Sequence, residues 1–198
     1  MSDVGGLQGS DSHLAGSPDV IPEVLTSREV YEGKIIRLRV DEIALPGGLK
    51  TTREVVEHPG AVVIVPLDDN GEVVLVRQYR HAIKRYLLEF PAGGLEPGEG
   101  PLATAQRELR EEVGLDAATW TSLGYFFSSP GFASEIIHVF LAEGLSSGYA
   151  NPDEDEDLVV VRCKASDLFE QREQLQDAKS LAALLLFGQA RGEAPTER

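Results

Sequence analysis

Residues 93–115 read GGLEPGEGPLATAQRELREEVGL, and this stretch decides how the chain around it is to be understood. It opens as a glycine-rich loop, turns at Glu99-Gly100-Pro101 and runs on into good helix formers. Pro101 suits the first helical position, where its missing N–H costs nothing, and Gly114 is placed to stop the helix. At about 100° per residue, Glu108, Glu111 and Glu112 fall within one narrow arc. Like charges at i and i+4 weaken a helix by roughly 0.2–0.5 kcal/mol per pair, so a face of three carboxylates needs a reason. Taken alone, the pattern reads as a solvated acidic face with Arg107 paired to Glu111. Set directly behind a tight glycine loop, it reads as an oxygen cage for a hard divalent cation such as Mg²⁺.

Composition sets the bounds. At 198 residues the chain is long enough for one domain with a substantial core. Its 42% apolar and 26% charged residues are the balance of a soluble globular protein. A net charge of −15 argues against a nucleic-acid binder, which would show a basic footprint. A chain this acidic must neutralise any bound anion locally, with metals and a few arginines. The single cysteine, Cys163, forms no internal disulfide, which fits a reducing compartment; in its apolar strand it reads as a small core residue. No apolar run approaches a membrane span and no signal-peptide pattern opens the chain, so a cytoplasmic protein without membrane association is expected.

Residues 1–22, rich in Gly, Ser and Asp, are expected to be a disordered tail, 23–190 a folded domain and 191–198 a second tail. Alternating or continuous apolar patterns predict strands over 34–45, 51–57, 61–67, 72–77, 87–90, 121–127, 136–142 and 158–164. Pro46-Gly47-Gly48 and Asp69-Asn70-Gly71 mark turns between strands. Helices are predicted from Ser166, as cap, to about residue 174, and over 180–189. Strands on both sides of one helix, followed by terminal helices, predict a layered α/β domain. The densest acidic run, residues 151–157, reads as a solvated loop or as a mobile loop bearing a general base; an EF-hand fails because Leu158 stands at the position that requires glycine.

The spacing Gly93, five residues, Glu99, seven residues, then Arg107-Glu108-Leu109-x-Glu111-Glu112-x-Gly114-Leu115 resembles the Nudix box. All nine specified positions are filled within twenty-three residues, too many for coincidence. The resemblance implies a Nudix-type α/β/α sandwich with a mixed sheet and an N-terminal antiparallel strand region. It further implies Mg²⁺-dependent hydrolysis of a nucleoside diphosphate linked to another group. The chain is similar in particular to the ADP-ribose pyrophosphatases of that family, which cleave ADP-ribose to AMP and ribose 5-phosphate. The alternatives are another nucleotide sugar, such as GDP-mannose or another ADP-sugar, and a non-catalytic nucleotide-binding module.

By the same resemblance, the Ala92 carbonyl, Glu108, Glu112 and Glu156 would hold two or three Mg²⁺ ions, with Mn²⁺ able to substitute. Glu154 would be the base; a change of register along the acidic run would exchange its role with that of Glu156. Arg107 would orient Glu111 or Glu108. Arg80 would contact the diphosphate, its fixed fork of donors suiting that task. Gly94 would also border the substrate. Glu135, behind Ser129-Pro130-Gly131, would face the ribose hydroxyls, and Arg53 with Glu54 would hold the adenosine end across a homodimer interface. Among the histidines, His58 and His138 read as structural.

Overall fold

The computed structural model describes residues 20–148 and 158–192. At its centre is the β-branched run of residues 61–67, which forms strand β4 (Ala61–Leu67), buried from Val62 onward. A strand buried on both faces must show apolar side chains to both, and this one divides them by alternation. Val62 and Ile64 pack with Ala105, Leu109, Leu115 and Phe140 on one side. Val63, Val65 and Leu67 pack with Leu168, Leu184 and Phe187 on the other.

The elements that supply those partners follow in order. β1 (Glu23–Glu32), β2 (Arg37–Ala44) and β3 (Lys50–Glu57) make a separate antiparallel sheet. β5 (Glu72–Arg80), β6 (Arg85–Glu89) and the short β7 (Ala92–Gly94) precede helix α1 (Pro101–Val113). β8 (Leu115–Phe127), β9 (Ile136–Ser147) and β10 (Leu158–Lys164) follow, and then α2 (Ala165–Glu170), a 3₁₀ turn (Arg172–Gln174) and α3 (Ala178–Arg191). The seven-stranded sheet runs β10-β5-β4-β9-β8, with β6 on β5 and β7 on β4. Among the described strands only β4 and β9 pair in parallel, so the sheet is mixed. With α1 on one face and α2 and α3 on the other, the expected α/β/α sandwich is present, flanked by the expected antiparallel N-terminal sheet.

Some local expectations need correction. Ser166 does not cap α2; it lies inside the helix, its hydroxyl on Asp167, and the cap position is Lys164 with no side-chain bond. α3 starts two residues earlier than expected because Asp177 takes the cap, accepting from the Ser180 N–H at 3.0 Å. β8 and β9 are longer than their apolar cores, extended by each other's ladder. Among the described residues no helix is long and apolar enough to cross a membrane.

Candidate active site

The glycine loop and α1 form as the spacing requires. Pro101 stands at the helix start and Gly114 ends the helix in the left-handed region (φ 66°, ψ 35°), where glycine carries no Cβ penalty. Leu109 and Ala105 anchor one side of α1 in the core. That fixes which way the acidic arc points. Glu112 is buried, Glu108 nearly so, and Glu111 is the most open of the three.

Arg107 organises this face. Its Nε and Nη2 donate to both oxygens of Glu99 at 3.2 and 3.0 Å, and its Nη1 donates to Glu108 at 2.7 Å and Glu111 at 3.0 Å. Nη2 also reaches the Gly94 carbonyl at 3.2 Å, tying helix to loop. Hydrogen bonding to Glu99, then to Glu111 and Glu108, holds the Arg107 guanidinium far above its ordinary pKa, so it is permanently charged. The Arg107 bonds in turn hold the Glu99 carboxyl below its usual range. Buried Thr104 adds a hydroxyl to the same Glu99 oxygen at 2.9 Å. The pairing of Arg107 with Glu111, which read as a solvated bridge in sequence, is one arm of this network.

β7 lies against the two inner carboxylates. The Ala92 N–H donates to Glu112 at 3.1 Å. A Cβ placed on Gly93 would lie 1.9 Å from the Glu108 carboxyl carbon, so any larger residue there would displace that carboxylate. Ala92, Glu108 and Glu112 are thus brought together where β7 meets α1.

The residues expected at the substrate are more scattered. Arg80 ends β5 and grips Glu89 of β6 in a two-pronged pair, Nε to Oε1 at 2.9 Å and Nη2 to Oε2 at 2.6 Å. Hydrogen bonding to Glu89 raises the Arg80 pKa, and the charge of Glu112 adds to the effect, so Arg80 stands within the field of the box. Glu135 approaches His58 Nδ1 at 3.5 Å, while that nitrogen accepts from the Gly60 N–H at 3.1 Å. Arg53 and Glu54 are both exposed on β3, and as strand neighbours they point to opposite faces of the N-terminal sheet. Arg53 bonds the Thr51 hydroxyl and the Thr52 carbonyl beside it. Glu154 and Glu156 lie outside the described residues.

Comparison with known proteins decides what this arrangement is. A family model for the NUDIX domain matches residues 57–184. The chain belongs to the Nudix family. A second family model, for the nucleoside diphosphate sugar hydrolase N-terminal domain, matches residues 23–56, the segment that holds the three-stranded sheet. The chain is 42% identical to an ADP-ribose pyrophosphatase of Bacillus subtilis over 167 residues, covering 82% of this chain and 90% of that protein. It is 52% identical over 124 residues to an ADP-ribose pyrophosphatase of Mycobacterium tuberculosis, covering 62% of this chain and 60% of that protein. A crystal structure of an ADP compounds hydrolase superposes with a TM-score of 0.80 at 26% identity, covering 90% of this chain and all of the other.

Nudix hydrolases generally use divalent metal ions, and the donors gathered here suit one. The carboxylate oxygens of Glu108 and Glu112 and the Ala92 carbonyl are of the hard-oxygen type that such an ion takes. Among the described residues, no three acidic, histidine or cysteine side chains converge on a common point. Sequence reading missed Thr104 and Glu89. The first looks like any helix residue, and the second shows its importance only through partners far along the chain.

Proposed function

We propose that this Nudix protein hydrolyses ADP-ribose to AMP and ribose 5-phosphate. The observation that carries the reading is the acidic face of α1, where Arg107 bonds Glu108 and Glu111 and the Ala92 N–H bonds Glu112. The 42% and 52% identities to proteins named ADP-ribose pyrophosphatase support the choice of substrate. Glu108, Glu112, the Ala92 carbonyl and Glu156 would hold the metals, two or three Mg²⁺ ions, with Mn²⁺ able to substitute. When bound, these ions neutralise the diphosphate and make a water acidic enough to attack it. Arg107 keeps Glu108 and Glu111 in place, Arg80 and the Gly94 backbone meet the diphosphate, and Glu154 takes the proton from the attacking water. The water oxygen bonds to phosphorus as the bridging P–O bond breaks. Glu135 takes the ribose hydroxyls, and Arg53 and Glu54 the adenosine end, within a cytoplasmic homodimer that shares its N-terminal sheets.

A broader substrate range is the second reading, favoured by the solved relative titled ADP compounds hydrolase. A panel of ADP-ribose, other ADP-sugars and GDP-mannose, incubated with and without Mg²⁺ and scored for released AMP or GMP, separates the two. Fastest AMP release from ADP-ribose is expected, and none after the metal is chelated. Glu112→Gln should remove most turnover while keeping the circular dichroism spectrum. Undiminished turnover in that variant would reject the metal assignment.

A further inference from the structure

We infer that Glu89 is a positioning residue: it holds the Arg80 guanidinium ready for the substrate's diphosphate, and Lys179 at the start of α3 balances its charge. Glu89 is 1% exposed. A buried carboxylate is costly unless paired and hydrogen-bonded, and this one is both. It accepts two bonds from Arg80, and Lys179 Nζ pairs with its Oε2. Burial alone would raise the Glu89 carboxyl; Arg80 and Lys179 outweigh it and leave the group lowered, hence ionised. Lys179 is held in turn by Asp177, its Nζ 2.9 Å from Oδ2, the oxygen that also caps α3. Ser180 accepts the N–H of Phe90, the residue after Glu89, at 2.9 Å. The ends of the consecutive strands β5 and β6, and the start of α3 far along the chain, therefore fix one carboxylate.

The consequence lies with Arg80. A guanidinium has five N–H donors in a rigid fork, and Glu89 engages two nitrogens from one edge. Among the described residues the other donors meet no acceptor and remain for an anion, on a side chain that is 39% exposed. A free surface arginine would surrender its rotamer freedom on binding; one already clamped does not. Nothing in such a clamp touches the reacting phosphorus, so its removal weakens binding more than chemistry.

This inference rests on the reading of Arg80 as a diphosphate contact, so its test includes a ligand that does not depend on the substrate's identity. The full chain, Arg80→Ala, Glu89→Gln and the double variant are compared in kcat and KM for ADP-ribose with Mg²⁺, and in Kd for inorganic pyrophosphate. Glu89→Gln should raise KM and the pyrophosphate Kd about tenfold with kcat within about twofold, and add nothing in the Arg80→Ala background, the signature of two residues acting as one. Losses that multiply in the double variant, a fall in kcat with KM unmoved, or pyrophosphate binding indifferent to Arg80→Ala would each overturn it. A chain that shows the coupling toward pyrophosphate yet leaves ADP-ribose intact keeps the positioning role and sinks the substrate reading. Should Glu89→Gln fail to fold, the charge-balanced Glu89→Gln/Lys179→Met variant carries the same expectation.

Discussion

Gly93 shows how much one missing methyl group can decide. Its backbone is not in the left-handed region, so conformation is no reason for glycine there; the reason is Glu108, whose carboxyl carbon would meet a Cβ at 1.9 Å. Gly93→Ala should therefore push the Glu108 carboxylate away from Ala92. A displacement of about 1 Å at a reacting centre costs on the order of 100-fold in rate, and kcat/KM for ADP-ribose should fall by that much. The melting temperature should move little, because β7 sits beside the core rather than in it. Equal activity in Gly93→Ala would mean that Glu108 has room to spare. Thr104 is the complementary case, a buried hydroxyl that steadies Glu99 and through it Arg107.

At the scale of elements, α1 owes its place to Leu109 and Ala105 beneath it, and its acidic face is presented because the opposite face is seated. Leu109→Ala leaves a cavity in the cluster with Val62, Ile64 and Phe140, and should cost about 2–5 kcal/mol of stability by denaturant unfolding. A loss under about 0.5 kcal/mol would show that this side of the sheet is loosely packed. The helix was legible in the sequence because its signals are local: Pro101 to start, Gly114 to stop, apolar residues at helical spacing. β4 was legible for the same reason. What stayed hidden depends on partners remote in the chain. β7 is three residues long and exists as a strand through pairing with β4. The Arg80–Glu89–Lys179 group joins residues up to 99 positions apart (179 − 80), and no periodicity reports that. Nor does adjacency report facing: Arg53 and Glu54 are neighbours in sequence, yet on β3 they point to opposite faces.

For the whole molecule, an acidic chain with ion-paired carboxylates has a defined response to acid. Arg107 lowers the Glu99 carboxyl, and the pairing of Glu89 with Arg80 and Lys179 outweighs its burial, so both groups bind protons less readily folded than unfolded. A lowered carboxyl contributes stability above its unfolded pKa, near 4.3, and that contribution disappears as pH falls through the lowered folded value. The melting temperature should therefore be level from about pH 7 to about pH 5 and drop progressively below about pH 4. A steep change between pH 7 and 6 would point to histidine instead and contradict the assignment of these carboxylates.

β4 is hydrogen-bonded along both edges and covered on both faces, and the amide of Ile64 donates to the Pro91 carbonyl next to Ala92. That N–H can trade its proton for deuterium only when the molecule opens as a whole, whereas strand β1, at an outer edge, can fray alone. A ligand that binds only the native form slows global opening by the factor 1 + [L]/Kd. Deuterium uptake at Ile64 therefore offers a gauge of nucleotide affinity that needs no turnover and no label on the ligand, read from the centre of the sheet.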